Sequence, residues 1–305
     1  MKNKSQGDKC NLTNLNLSDN KLTEKSWKNL GELLINLNKL TWLNISSNKI
    51  HNKDAEDFFN IYKEILEEEL NSLIMNSNSS IINSNINNNF NLGNININQS
   101  NNLSNLSLSN YSPKTINNLE TLILIDIGNS SESCLRILGD IIKLPKCGIK
   151  SLILSKNSLG SGQNLNDMIY FLESLKQNKS IIELYMLSCN IESNIANKIY
   201  EMLKENKCIE NLVLYDNKIN EQFIFLKILS LFSDLKENNG IINNIMKVLD
   251  LSKNNCRIKI DDCFLNIIEE LKISVIYGIL ELLFITLDLR DFHMKVILLM
   301  KFLIK

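Results

Sequence analysis

The side chains best able to do chemistry are scattered along this 305-residue chain. No two of its seven cysteines form a Cys-x-x-Cys pair, and they occupy positions 10, 134, 147, 189, 208, 256 and 263. Its two histidines, His51 and His293, are far apart in sequence. A zinc site needs several ligands at characteristic spacings, and a catalytic thiol needs a neighbouring base. The sequence therefore predicts no metal site and no catalytic residue, and the cysteines are expected to be reduced and largely buried thiols.

The dominant pattern is instead Leu-x-x-Leu-x-Leu-x-x-Asn-x-Leu. It begins at Leu12 and returns with the same spacing at Leu40, and related copies begin at Leu119, Ile149, Ile181, Ile209 and Met246. A short strand places alternate residues on one face, so the second and third leucines of each copy are predicted to be buried together. The Asn that follows can bond to the backbone of neighbouring turns, so we interpret it as structural, and Cys189 as a small buried substitute for it.

The segments between these strands have helical periodicity. Apolar stripes are formed by Trp27, Leu30, Leu33 and Leu34, and later by Phe223, Leu226, Leu229 and Phe232. Comparable stripes begin at Phe58, Leu135, Leu165, Ile195 and Phe264. Each repeat is thus predicted to be a strand followed by a full helix. Four pairs of neighbouring copies start 28 to 32 residues apart, from 12 to 40, 119 to 149, 149 to 181 and 181 to 209.

This repeat resembles the ribonuclease-inhibitor-like class of leucine-rich repeat proteins. The resemblance implies an α/β solenoid, with a curved parallel sheet on the concave side and helices on the convex side, over residues 8–305. The stretch from Asn157 to Gly162 looks like the strand-to-helix connection of that family, so Gly160 and Gly162 are interpreted as turn residues. A lone Gly-x-Gly is weak evidence for phosphate binding, and the sequence contains no P-loop pattern, so no cofactor is predicted.

An Asn-rich segment interrupts the repeats. Between Asn76 and Asn110, 15 of 35 residues are Asn and 8 are Ser, a composition that cannot bury enough apolar surface to offset its ordering entropy. We predict a disordered insertion over residues 76–116, as a tolerated surface loop or a binding segment. A strand is expected just before it, near Leu70, Leu73 and Met75, whereas the strand-like spacing from Leu103 to Leu108 is left undecided.

Composition limits the partners. The chain has 33 basic and 34 acidic residues, a balance that argues against nucleic acid or an anionic membrane as the main partner. The apolar stretch from Ile273 to Leu287 is too short to span a bilayer and is interpreted as part of a degenerate last repeat. The first ten residues lack an apolar core, so no signal peptide is predicted and a cytoplasmic location is expected, with the nucleus left open.

The concave face is the most informative surface, since strand residues between the buried leucines must point there. Tyr185 is expected to align with Val213, and Leu187 with Tyr215, giving an apolar and aromatic band suited to anchoring a protein. An alternative explanation is that such residues simply favour strands. The predicted partner-binding residues are Trp42, Asn44, Ile123, Ile153, Tyr185, Leu187, Val213, Tyr215 and Asp250.

These features predict a non-enzymatic scaffold or adaptor that binds a protein partner and uses no small-molecule substrate. The alternative follows from resemblance, because Ran GTPase-activating proteins have a similar repeat class. Stimulating a GTPase would need a suitable side chain at the nucleotide, and the arginines are limited to Arg136, Arg257 and Arg290. The acidic C-terminal tail of that family is absent from this sequence.

Overall fold

The computed structural model describes residues 10–48, 56–72, 118–127, 131–160, 165–231, 245–254 and 256. The predicted insertion at 76–116, the strand-like stretch from Leu103 to Leu108 and the apolar segment after Ile273 lie outside these residues.

Within the described residues, seven parallel strands form one sheet, and their order in the sheet is their order in the chain. They are β1 (Asn14–Asn16), β2 (Trp42–Asn44), β3 (Thr121–Ile123), β4 (Ser151–Ile153), β5 (Glu183–Tyr185), β6 (Asn211–Val213) and β7 (Val248–Asp250). Residues at equivalent positions of the repeat pair between neighbouring strands, as Leu184 does with Leu152 and Leu212. The strands alternate with helices, which confirms the predicted α/β solenoid arrangement.

The helices are α1 (Glu24–Leu34), α2 (56–72), α3 (Ser131–Lys143), α4 (Leu165–Leu175), α5 (Ser193–Glu205) and α6 (Gln222–Ser230). Their apolar stripes and the inward-facing strand residues form a single hydrophobic cluster. From β2 to β7 the two patterned leucine positions are almost fully buried, for example Leu212 and Leu214 at 0% exposure. Burial of the repeat leucines is therefore what holds the strands against the helices.

A ladder of buried side-chain amides ties four of the described repeats, those of β2, β4, β6 and β7, to the repeat before each. Asn217 Nδ2 donates to the carbonyl oxygens of Met186 at 2.8 Å and Leu214 at 2.9 Å. Its Oδ1 accepts from the backbone N–H groups of Cys189 and Ile191. Asn48, Asn157 and Asn254 make equivalent bonds, which confirms the structural interpretation of these residues. In the Asn position of the β5 repeat, the Cys189 thiol donates to the Leu154 and Leu187 carbonyls.

The residue immediately before each ladder position turns the chain. In each of the seven described repeats this residue is not a glycine, and its φ is between 51° and 57°. The residues are Asp19, Ser47, Asp126, Lys156, Ser188, Asp216 and Lys253. This left-handed conformation costs an L-residue roughly 1–2 kcal/mol. The neighbouring hydrogen bonds enforce it, since each of the first six donates its backbone N–H to the next repeat, as Ser188 does to the Tyr215 carbonyl at 2.9 Å.

Gly160 has a packing role beyond that of a turn residue. A methyl group at its Cα would lie 2.4 Å from the Asn190 carbonyl oxygen and from Ile191 Cα. Both are backbone atoms of the next repeat, so a side chain would force the two connections apart. Gly162 lies outside the described residues.

Three sequence predictions are wrong in detail. Leu70 lies within α2 rather than in a strand, and β2 pairs directly with β3. Leu33 in α1 is 44% exposed, because Trp27, Leu30 and Gly31 form the buried side of this helix. Phe223 in α6 is 68% exposed, while Phe225 next to Ile224 is fully buried, so the apolar stripe of this helix is rotated from its predicted position.

The register predicts opposite responses from two adjacent residues. Leu214→Ala should destabilise the protein by about 2–5 kcal/mol, because the side chain is fully buried. Tyr215→Ala should cost less than about 1 kcal/mol, since this half-buried ring lies on the concave face. Urea melts of both variants measure the difference, and equal losses would contradict the register.

Candidate functional site

The concave face is the side of the sheet that faces away from the helices. On it, Ile123, Ile153, Tyr185 and Val213 pair in succession across β3 to β6. A second row lies two residues further along each strand and includes Ile125, Leu187 and Tyr215. The predicted alignment of Tyr185 with Val213 is confirmed directly. That of Leu187 with Tyr215 follows from the bond of the Ser188 N–H to the Tyr215 carbonyl.

We call these seven residues the apolar band: Ile123, Ile125, Ile153, Tyr185, Leu187, Val213 and Tyr215. Ile123 is 9% exposed and the other six are half-buried, so each shields its neighbours while presenting part of its surface. Six of the nine predicted partner-binding residues belong to the band. Sequence reasoning omitted Ile125, although its position in the repeat is equivalent to those of Leu187 and Tyr215.

In the outer described strands, β1, β2 and β7, the positions equivalent to the band are polar. At the positions equivalent to the band, β1 and β2 carry Asn16 and Asn44, each followed two residues later by a serine. The Asn44 carboxamide oxygen accepts the backbone N–H of Ser46 at 3.0 Å, and Asn16 bonds Ser18 in the same way. Asp250 in β7 repeats the arrangement with Ser252. Two predicted site residues, Asn44 and Asp250, therefore flank the band and close local turns.

Trp42, the remaining predicted site residue, lies one row away from the band. It is half-buried and pairs with Asn14 and Thr121, which are both polar. The structure therefore places Trp42 beside the polar end of the face.

Serine interrupts the second row of the band once. Ser155 is 5% exposed, and its hydroxyl accepts the backbone N–H of Leu187 at 3.3 Å. Ser46 makes the same bond to Ile125 at 2.9 Å. Each of these serines thus bonds the backbone of the neighbouring strand. Because Ser155 occupies the second-row position of β4, a small polar residue lies between Ile125 and Leu187 in that row.

Acidic groups border one half of the band. Glu183 precedes Tyr185 in β5, Asp216 follows Tyr215, and Asp250 pairs with Val213. Burial, together with the charge of Glu183, raises the pKa of the Tyr185 hydroxyl. The Lys253 ammonium lies 4.9 Å from the centre of the Tyr215 ring, a cation–π distance. Across β3 and β4, Asp126 and Lys156 occupy equivalent positions with opposite charges.

The candidate metal ligands and the arginines considered from the sequence lie as follows. In the part of the chain that the structure describes, no group of three or more His, Cys, Asp or Glu side chains could hold a metal ion. Arg136 lies in α3, where its Nε donates to Asp167 at 2.9 Å and its guanidinium lies 4.8 Å from the centre of the Tyr170 ring. Arg257 and Arg290 lie outside the described residues. Within the described residues, no helix is both long enough and apolar enough to cross a bilayer.

A cleft of about 830 Å³ lies at the C-terminal ends of α3 and α4, away from the apolar band. Among its lining residues, Ser174 bonds the Tyr170 carbonyl and Asn178 bonds the Ile142 carbonyl. The buried polar groups of this cleft thus serve the turns between helix and strand, and we do not assign it a ligand.

Neither a protein-family model nor a curated protein matches the chain. Among solved structures, the chain is similar to one titled "Leiomodin-1 Actin-Binding Site 2 (ABS2)", with 19% sequence identity and a TM-score of 0.37. The match covers 55% of this chain and 87% of the other. The similarity is too low to transfer a partner from that protein.

Thiol reactivity provides a test of the structural interpretation of the cysteines. Burial raises the pKa of Cys134 and of Cys189 to about 12, whereas Cys10 is exposed. Because the thiolate is the reactive form, iodoacetamide at pH 8 should label Cys10 within minutes and leave Cys134 and Cys189 unlabelled until the protein unfolds. Peptide mass spectrometry measures each site, and rapid labelling of Cys189 in the folded protein would show that it is a reactive thiol.

Proposed function

We propose that this chain is a non-enzymatic scaffold or adaptor of the leucine-rich repeat type, and that it binds a protein partner through the apolar band on its concave face. One observation carries the proposal: in the two rows that form the band, the positions in β3 to β6 are apolar except for Ser155, and the equivalent positions in β1, β2 and β7 are polar.

The contrast between centre and ends argues against strand propensity as the reason for the band. Asn16 and Asn44 form parallel strand pairs as regular as those of Ile153 and Tyr185. The sheet therefore accepts polar residues at these positions, and the apolar ones exceed what the fold requires. A contiguous, half-exposed apolar patch with a polar border is the usual composition of a protein-binding surface.

The two tyrosines are the best candidate anchors within the band. Each combines a large apolar ring with a hydroxyl, and they lie on adjacent strands, about 4.8 Å apart, in neighbouring rows. Truncating such an anchor typically costs about 2 kcal/mol or more of binding free energy. For the GTPase-activating alternative we find no favouring observation, since Arg136 is already paired with Asp167.

The test is a double variant, Tyr185→Ser with Tyr215→Ser, used as bait in affinity capture from the source cell. It should lose the partner retained by the wild-type protein while its circular dichroism and melting profile stay the same. Phe223→Ser is the matched control, because it removes an aromatic ring that is 68% exposed on α6, away from the band. Capture of the same partners with unchanged affinity by the folded double variant would overturn the proposal.

A further inference from the structure

The backbone of the strands that carry the apolar band is already hydrogen-bonded to neighbouring strands. Each of β3, β4, β5 and β6 pairs with a strand on both sides. An extended peptide laid on this face would find no free strand edge, and its own N–H and C=O groups would be pressed unpaired against apolar side chains. A helix satisfies its backbone internally, so it can cover the band without that cost.

The dimensions of the band also fit a helix. Four strands spaced about 4.8 Å apart make the band roughly 14 Å long between the first and last strand, with two rows of side chains across it. A helix rises about 5.4 Å per turn, so successive turns come close to the spacing of successive strands over two to three turns. In an extended chain the residues on one face are about 6.7 Å apart and lose this match after one or two strands.

Charge distinguishes the two halves of the band. The half formed by β5 and β6 is bordered by Glu183, Asp216 and Asp250, and each of these carboxylates accepts a bond from a neutral side chain. Lys253 adds a positive charge on this side, with its ammonium 4.9 Å from the centre of the Tyr215 ring. The excess of negative charge favours a partner that carries Lys or Arg along its apolar stripe.

Resting on the function proposed above, we infer that the partner presents a single amphipathic helix of two to three turns that lies across β3 to β6. Its apolar stripe contacts the apolar band, and its basic side chains face Glu183, Asp216 and Asp250.

The test uses four fluorescein-labelled 18-residue peptides and fluorescence anisotropy with the full chain. The first has a leucine stripe at helical spacing flanked by lysines, and the second has glutamates in place of those lysines. The third places two prolines within the stripe of the first, and the fourth scrambles the stripe. The basic helical peptide should bind at least about tenfold more tightly than each of the other three.

Two sets of variants locate the binding. Glu183→Gln, Asp216→Asn and Asp250→Asn together should remove most of the preference for lysine over glutamate. Asn at position 250 is compatible with the fold, because Asn16 and Asn44 make the same turn. The matched control is Glu173→Gln, Glu201→Gln and Glu205→Gln, an equal change of charge on α4 and α5, which should preserve the preference.

Equal binding of the proline-containing or acidic peptide would overturn this inference, as would the absence of any binding by the basic peptide. These outcomes differ from failure of the proposed function. If the Tyr185 and Tyr215 double variant loses its captured partner while the peptides show no helical or basic preference, the band binds a protein of another shape. If the double variant keeps its partner, the proposed function itself fails.

Discussion

The buried amides that follow β2, β4, β6 and β7, those of Asn48, Asn157, Asn217 and Asn254, make the interaction on which this structure depends most. Asn217 holds two carbonyl oxygens and two backbone N–H groups that no regular secondary structure satisfies. Leaving one such buried group unpaired costs about 1–3 kcal/mol, so the ladder strongly favours a single register between repeats. The left-handed residue before the ladder position is held by a separate backbone bond, from its N–H to a carbonyl of the next repeat, as in Ser188 and Asp216. Once the register is fixed, every repeat position forms a row across the sheet.

This row geometry connects the fold with the candidate site. Leucines two residues apart form the inner rows and bury almost completely, while the residues between them form the outer rows on the concave face. The inner rows are constrained by packing, but the outer rows are free to vary, as the change from Asn44 to Ile123 across one strand pair illustrates. The apolar band is therefore a feature that the fold positions without needing it for stability.

Much of this was predictable from the sequence, because the repeat spacing fixes both the inner rows and the alignment of Tyr185 with Val213. Leu33 and Phe223 were predicted to lie on buried helical stripes, but both are exposed. Short apolar segments such as 222–231 allow more than one choice of helical stripe. The strand predicted near Leu70 gave way to a longer α2, whose buried aromatic residues Phe58, Phe59 and Tyr62 dock it against the core. The contrast between polar outer strands and apolar central strands is a property of the aligned sheet, since an Asn and Ser pair such as Asn44 and Ser46 carries no such information within its own repeat.

The central claim is that a protein partner contacts the concave face at the apolar band. The most direct measurement is site-specific photo-crosslinking in the source cell, with p-benzoylphenylalanine at position 213 in one variant and at position 223 in another. Val213 lies in the middle of the acidic half of the band, and Phe223 is an exposed aromatic position on α6. The account predicts one discrete crosslinked protein from position 213 and none of that size from position 223. Crosslinking of the same protein from position 223 alone would contradict it.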